Sequence, residues 1–196
     1  EEKSTTSQQD DTATPLVSHC DSLGLTAVPF SEGPFGTGYG DIVDDFTVQT
    51  MEGDWNFLDN WSGCDMYIFS NYHGDYDYPV EIWNSDLRDL LDGSPPNVHY
   101  FFLSLESGAE EQDVTAMRDK FDEVLAQYSE EEREKWASRL HYVTETAWYI
   151  PQLGDLLSRR ADWSFVIDPA QRFQEVGYMS RPNNQGNWVA SLESLT

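Results

Sequence analysis

The stretch from Tyr67 to Trp83, YIFSNYHGDYDYPVEIW, decides how the chain reads. Residues 66–71, MYIFSN, form a continuous apolar run, the pattern of a strand covered on both faces. A polar, Tyr-rich loop follows. Pro79 then suits the first turn of a helix. Trp83, Leu87, Leu90 and Leu91 recur at spacings that put them on one helical stripe. Gly93 and the Pro95–Pro96 pair stop that helix. A buried strand that feeds a loop and then a helix is a junction at which open α/β sheets place their ligands.

Working outward, residues 45–51, DFTVQTM, alternate apolar and polar positions as a strand does. EGD (52–54) is a turn signal and WNF a short return strand, which together make a hairpin. Downstream, residues 97–107, NVHYFFLSLES, are the strongest strand pattern in the chain. Val114, Met117, Phe121, Val124, Leu125 and Tyr128 predict a helix over 111–128. SEEE (129–132) is a capping box that starts another helix. Residues 140–145 read as a strand, 151–160 as a short helix, 163–168 as a strand, and 173–179 as a final strand after the turn PAQR. Alternating strands and helices predict an α/β, three-layer domain with a largely parallel sheet and right-handed crossovers. The closing antiparallel hairpin makes that sheet mixed.

The domain is expected over 42–180. Residues 1–18 read as a disordered acidic tail. Residues 19–41 read as an extended, Gly- and Pro-rich segment, with Leu23, Leu25, Val28, Phe30 and Phe35 as anchors. Residues 181–196 read as a C-terminal tail or linker.

The formal net charge is −25, with 36 acidic against 11 basic residues. Such a field repels phosphate backbones and anionic membrane surfaces, so nucleic-acid partners are excluded. No apolar run reaches the roughly 18 residues of a membrane-spanning helix, so no membrane insertion is expected. Cys20 and Cys64 are the two cysteines. They permit one disulfide, worth roughly 3–4 kcal/mol by loop entropy; the alternative is two free buried thiols. Their spacing excludes a CxxC redox motif and a Cys-only zinc site.

Three chemistries are open to the loop after residue 71. His73, Asp75 and Asp77 offer one nitrogen and two carboxylates, a set that could hold a divalent cation. Asp75 and Asp77 could equally bond nearby backbone N–H groups as turn and cap residues. Tyr72, Tyr76 and Tyr78, with His73, Asp75 and Asp77, could form a binding surface, since Tyr is enriched in protein contacts. General acid–base work by His73 lacks a nucleophile to serve. His99 and His141 sit on predicted strands and read as core-edge residues. His19, beside Cys20, could join a metal site. NWS (60–62) fits the N-glycosylation acceptor pattern.

The segments DFTVQTMEGDWNFLDNWSG, MYIFSNY and WSFVIDPAQRFQEVG resemble the thioredoxin-like fold, in the branch of thiol-disulfide oxidoreductases and peroxiredoxins. The first is similar to that branch's opening hairpin, the last to its closing hairpin. The resemblance covers about residues 41–180. It implies a CxxC or a single reactive Cys just after the strand matching MYIFSN, where Gly74 and Asp77 stand here. It also implies a cis-proline near Asp162, where no proline stands. The resulting expectation is a redox-inactive, non-catalytic binding or scaffold module of a secreted or surface protein, extracellular or periplasmic. It would be an accessory module of a larger chain, without a cofactor, partnered by another protein or by other domains of its own chain. The alternatives are a divergent thiol–disulfide oxidoreductase using Cys20 and Cys64, or a divalent-cation module at His73, Asp75 and Asp77.

Overall fold

The structure, a computed structural model, describes residues 18–72, 86–145, 150, 153 and 165–175. A short helix α1 (His19–Ser22) precedes a hairpin of β1 (Thr47–Thr50) and β2 (Gly53–Asn56). Next come β3 (Met66–Tyr72), α2 (Leu87–Asp92) and β4 (Val98–Ser104). Helices α3 (Glu110–Leu125) and α4 (Glu130–Ala137) lead to β5 (Leu140–Val143). A hairpin of β6 (Phe165–Ile167) and β7 (Phe173–Glu175) ends the described chain.

The strands form one seven-stranded sheet in the order β2-β1-β5-β4-β3-β6-β7. The β3–β4 and β4–β5 pairs are parallel, whereas β1–β2, β1–β5, β3–β6 and β6–β7 are antiparallel. The sheet is therefore mixed, as the alternating pattern predicts. Parallel neighbours need crossovers, and the stretch carrying α3 and α4 supplies the one between β4 and β5.

The period of two along each strand sorts the apolar residues onto two faces. Met66, Ile68, Tyr100, Phe102 and Tyr142 pack under α2, α3 and α4, against Leu91, Val114, Met117, Phe121 and Trp136. Tyr67, Phe69, Phe101, Leu103, Phe165 and Ile167 face the other way, toward Val43, Phe46, Phe57, Ile150 and Leu153. On this second face Phe69 stacks on Phe101 at 4.6 Å and on Phe165 at 4.7 Å. Each such ring pair contributes about 0.5–1.5 kcal/mol beyond its buried area. The capping box is present: the Ser129 hydroxyl accepts from the Glu132 N–H, and the Glu132 carboxylate accepts from the Ser129 N–H.

The segment before β1 lies along the second face. Phe30 packs edge-on against Phe57 and Trp61, and Leu23 and Leu25 are half-buried. Val28 and Phe35, expected as anchors, stay exposed at 40% and 42%. They do so because the backbone holds the segment. The Val28 N–H donates to the Gly63 carbonyl at 2.8 Å. Gln171, buried in the β6–β7 turn, accepts from the Ser31 N–H and donates to the Val43 carbonyl, both at 2.6 Å. Among the described residues no helix is long and apolar enough to cross a membrane. The predicted helix over 151–160, the position of Asp162 and the two tails fall largely or wholly outside the described residues.

Candidate redox and metal site at the start of the central strand

Strand β3 lies inside the sheet, between β4 and β6, and its two ends differ. Tyr72 ends it, part-buried, with its hydroxyl pKa raised by burial and by Asp113 and Glu106. His73, Asp75, Tyr76, Asp77 and Tyr78, the other loop residues singled out from the sequence, lie outside the described residues, as does Gly74. The other end of β3 lies roughly 20 Å away at the rise of an extended chain. There Cys64 and Asp65 immediately precede the strand.

Local chemistry fixes that end. The Ser62 hydroxyl accepts from the Cys64 N–H at 3.1 Å and the Asp65 N–H at 2.9 Å, a serine turn that aims both side chains. Gly63 has φ +82°, the left-handed region that favours glycine. A Cβ there would also collide with the Val28 carbonyl oxygen and approach its nitrogen to 2.7 Å. Buried Asn97 closes the other side, donating to the Cys64 carbonyl at 2.6 Å while its own carbonyl accepts from the Met66 N–H at 2.8 Å. Gly63→Ala is therefore expected to destabilise the protein by about 1–3 kcal/mol through backbone strain and clash. Denaturant unfolding measures this; an unchanged midpoint would show that the loop relaxes freely.

Cys20 comes to this loop from the N-terminal segment. It lies on α1, whose Ser18 hydroxyl caps the Asp21 N–H. Cys20 and Cys64 are joined by a disulfide with Cα atoms 5.9 Å apart, within the ordinary range. The two sulfurs are not equivalent. Cys20 is flanked by exposed His19 and Asp21, whereas Cys64 sits between buried Gly63 and Asp65. The Ser62 hydroxyl lies 3.7 Å from the Cys64 sulfur, oriented to donate to it. The Cys20 sulfur lies 3.3 Å from the Ser62 carbonyl oxygen, a placement that would suit a thiol as donor.

Next to the bridge is a line of titratable groups. Asp65, 4% exposed, has Oδ1 at 2.9 Å from His19 Nε2 and Oδ2 at 3.5 Å from His99 Nε2. His99 Nδ1 lies 3.1 Å from His141 Nε2, the rings stacked within 8° of parallel. Burial pushes the Asp65 carboxyl up, but hydrogen bonds from His99 and His19 outweigh it and hold the pKa at about 2. Burial, with help from the His99 charge, lowers His141 to about 3. An ionised carboxylate only accepts, so His19 Nε2 and His99 Nε2 donate to Asp65. His99 Nδ1 and His141 Nε2 share one hydrogen bond, its direction set by the tautomers of the two rings. Arg139, 8% exposed, also feels Asp65, whose charge opposes the lowering of its pKa by burial.

A His19 ring nitrogen, the Cys64 sulfur and an Asp65 oxygen lie within 4.8 Å of one another, a group among the described residues that could hold a metal ion. The expected cation set at His73, Asp75 and Asp77 lies outside the described residues. The adjacency of His19 to Cys20 is the sequence signal for this group. Asp65 directly follows Cys64, but its other partners, His19 on α1 and His99 on β4, are distant in sequence, so nothing local gathers them. His99 and His141 are at the core edge, as expected, but they form a continuous polar line with Asp65 rather than isolated rings.

The expectation of a redox-inactive module is overturned by the bridge. The chain carries a joined cysteine pair, assembled by the N-terminal segment folding back on the start of β3. That place lies at the far end of the strand from the loop where the resemblance looked for thiols.

No protein-family model matches the chain, and no curated protein matches it. Among solved structures it is similar to a protein of Aquifex aeolicus VF5 assigned to electron transfer, at 13% identity and a TM-score of 0.48, covering 81% of this chain and 99% of that one. A yeast mitochondrial 1-Cys peroxiredoxin is similar at 14% identity and a TM-score of 0.47, covering 81% and 76%. Bradyrhizobium japonicum ScoI with copper bound is similar at 10% identity and a TM-score of 0.45, covering 79% and 99%. Likenesses of this extent carry nothing about activity. Strand order, strand senses and the two flanking hairpins give this chain a thioredoxin-like fold.

Proposed function

We propose that the chain is a thiol–disulfide redox protein whose redox unit is Cys20–Cys64. One observation carries the reading: the disulfide sits beside groups that distinguish its two sulfurs. An incoming thiolate attacks Cys20, itself only 3% exposed but carried on a short helix between exposed His19 and Asp21, so the helix must yield to admit it. The S–S bond breaks and Cys64 leaves as the thiolate, which the Ser62 hydroxyl stabilises by donating to it; a better-stabilised leaving thiolate departs faster. A second thiol of the same donor then attacks the mixed disulfide and displaces Cys20. The donor dithiol ends as a disulfide, and the protein ends with two thiols, having gained two electrons and two protons. Exposed His19 is placed to pass one of those protons between solvent and the site.

The reading includes an oxidising, extracytoplasmic compartment, which is where a disulfide persists. The charge of −25 favours a cationic dithiol partner.

The test is equilibration of the folded protein in dithiol–disulfide buffers of graded potential, with free thiols counted by alkylation. The expected result is a reversible two-electron transition with a potential above about −300 mV, the bound below which structural bridges typically lie. Cys64→Ser abolishes it. A bridge that exchanges only after global unfolding would overturn the proposal.

A further inference from the structure

We infer that cleavage of the Cys20–Cys64 bridge creates a Zn²⁺ site from His19 Nε2, the Cys64 thiolate and an Asp65 carboxylate oxygen. The inference rests on the redox reading, because Cys64 can ligate only when it is free of Cys20. It concerns the start of β3, not the strand-end loop of the resembling family.

The ligand set fits that ion. One imidazole nitrogen, one thiolate and one carboxylate oxygen are the donor types Zn²⁺ takes, and three protein ligands leave the fourth tetrahedral position to water. Tetrahedral bonds to such donors put ligand atoms roughly 3.4–3.8 Å apart. A His19 ring nitrogen, the Cys64 sulfur and an Asp65 oxygen lie within 4.8 Å of one another already. The His19 nitrogen and the Asp65 oxygen, at 2.9 Å, share a single proton, which the ion would replace. The second Asp65 oxygen is held by His99 Nε2 at 3.5 Å, and such an outer partner orients a ligating carboxylate. Exposed His19 gives the ion a way in, whereas Cys64 and Asp65 are buried at 1% and 4%. In the oxidised protein the sulfur is committed to Cys20, and two ligands remain. The site is therefore open to metal in one redox state and closed in the other.

Chemistry balances with a phosphine as reductant: the disulfide, one phosphine and one water give two thiols and a phosphine oxide. Binding of the ion then releases the Cys64 proton.

The probe is Co²⁺ added anaerobically to the full chain, with Zn²⁺ as competitor and circular dichroism as a check on folding. Phosphine-reduced protein should take one equivalent of Co²⁺. It should show a thiolate-to-metal charge-transfer band and the intense visible bands of tetrahedral Co²⁺, both erased by Zn²⁺. Oxidised protein should show neither. Cys20→Ser should show both without any reductant, Cys64→Ser should show no charge-transfer band, and Asp65→Asn should bind at least about tenfold more weakly. Folded, reduced wild type with two free thiols but no charge-transfer band overturns the inference. So does a Cys64→Ser protein that keeps the band. If the wild-type bridge resists the phosphine, the redox reading fails by itself. Cys20→Ser then decides the metal site, its band supporting the ligand set and the lack of one refuting it.

Discussion

Cys64→Ser lowers the stability of the oxidised protein by about 4 kcal/mol, and Cys20→Ser by the same amount. The bridge joins residues 44 apart in sequence, and closing a loop of that length removes about 4 kcal/mol of entropy from the unfolded chain. Equality of the two losses is the informative part. A contact energy would differ between the two positions, because their surroundings differ; an effect on the unfolded chain does not. For a protein of this size the loss corresponds to a fall in Tm of roughly 8–16 °C. Parallel denaturant titrations of the two variants and of reduced wild type measure it. Losses below about 1 kcal/mol would show that the unfolded chain is already compact around the bridge.

Acid weakens the protein in two stages, and the first is set by His141. The folded protein protonates this ring only near pH 3, whereas in the unfolded chain it protonates near 6.5. Its contribution is thus fully present above about pH 6.5 and declines as pH falls toward 3. By linkage the total loss is on the order of 4–5 kcal/mol. Asp65 adds a second, smaller loss. Its carboxyl titrates at about 2 when folded and near 3.9 when unfolded. That stability is complete above about pH 4 and disappears as pH falls through 2, roughly 2–3 kcal/mol in all. His141→Phe removes the first stage and leaves the second. The replacement ring keeps the stack on Phe101, now at 4.4 Å. Unfolding free energies measured at pH 7, 5 and 4 should fall in wild type and stay nearly level in the variant. Equal slopes in the two proteins would place the acid sensitivity elsewhere.

Much of the fold is legible in the sequence, for local reasons. The run 66–71 needs both faces covered, the SEEE stretch carries its own cap, and the alternation in 45–51 marks a half-buried strand. These signals depend on neighbours within a few residues. The bridge is legible as a pairing, since two cysteines allow one. Its meaning is not, because the resemblance directed attention to Gly74 and Asp77 at the other end of β3. The Asp65–His99–His141 line is invisible at sequence level. Its members come together only when the turn before β3 is laid beside β4 and β5, and on those two strands the histidine looks like an exception within an apolar run. Val28 and Phe35 fail as anchors for a related reason: hydrophobic composition says nothing of a backbone that supplies the attachment itself.

Gln171 has a consequence for how the molecule comes apart. Its side chain ties Ser31 and Val43 to a turn near the other end of the domain. Its backbone takes a positive φ of 61°, uncommon for a residue with a side chain. The amide therefore reads out whether that turn is correctly made. Loss of the turn releases two points of the N-terminal strap at once, so strap and closing hairpin open as a single cooperative unit with shared hydrogen-exchange protection. In thermodynamic terms the two extremities of the domain behave as one piece.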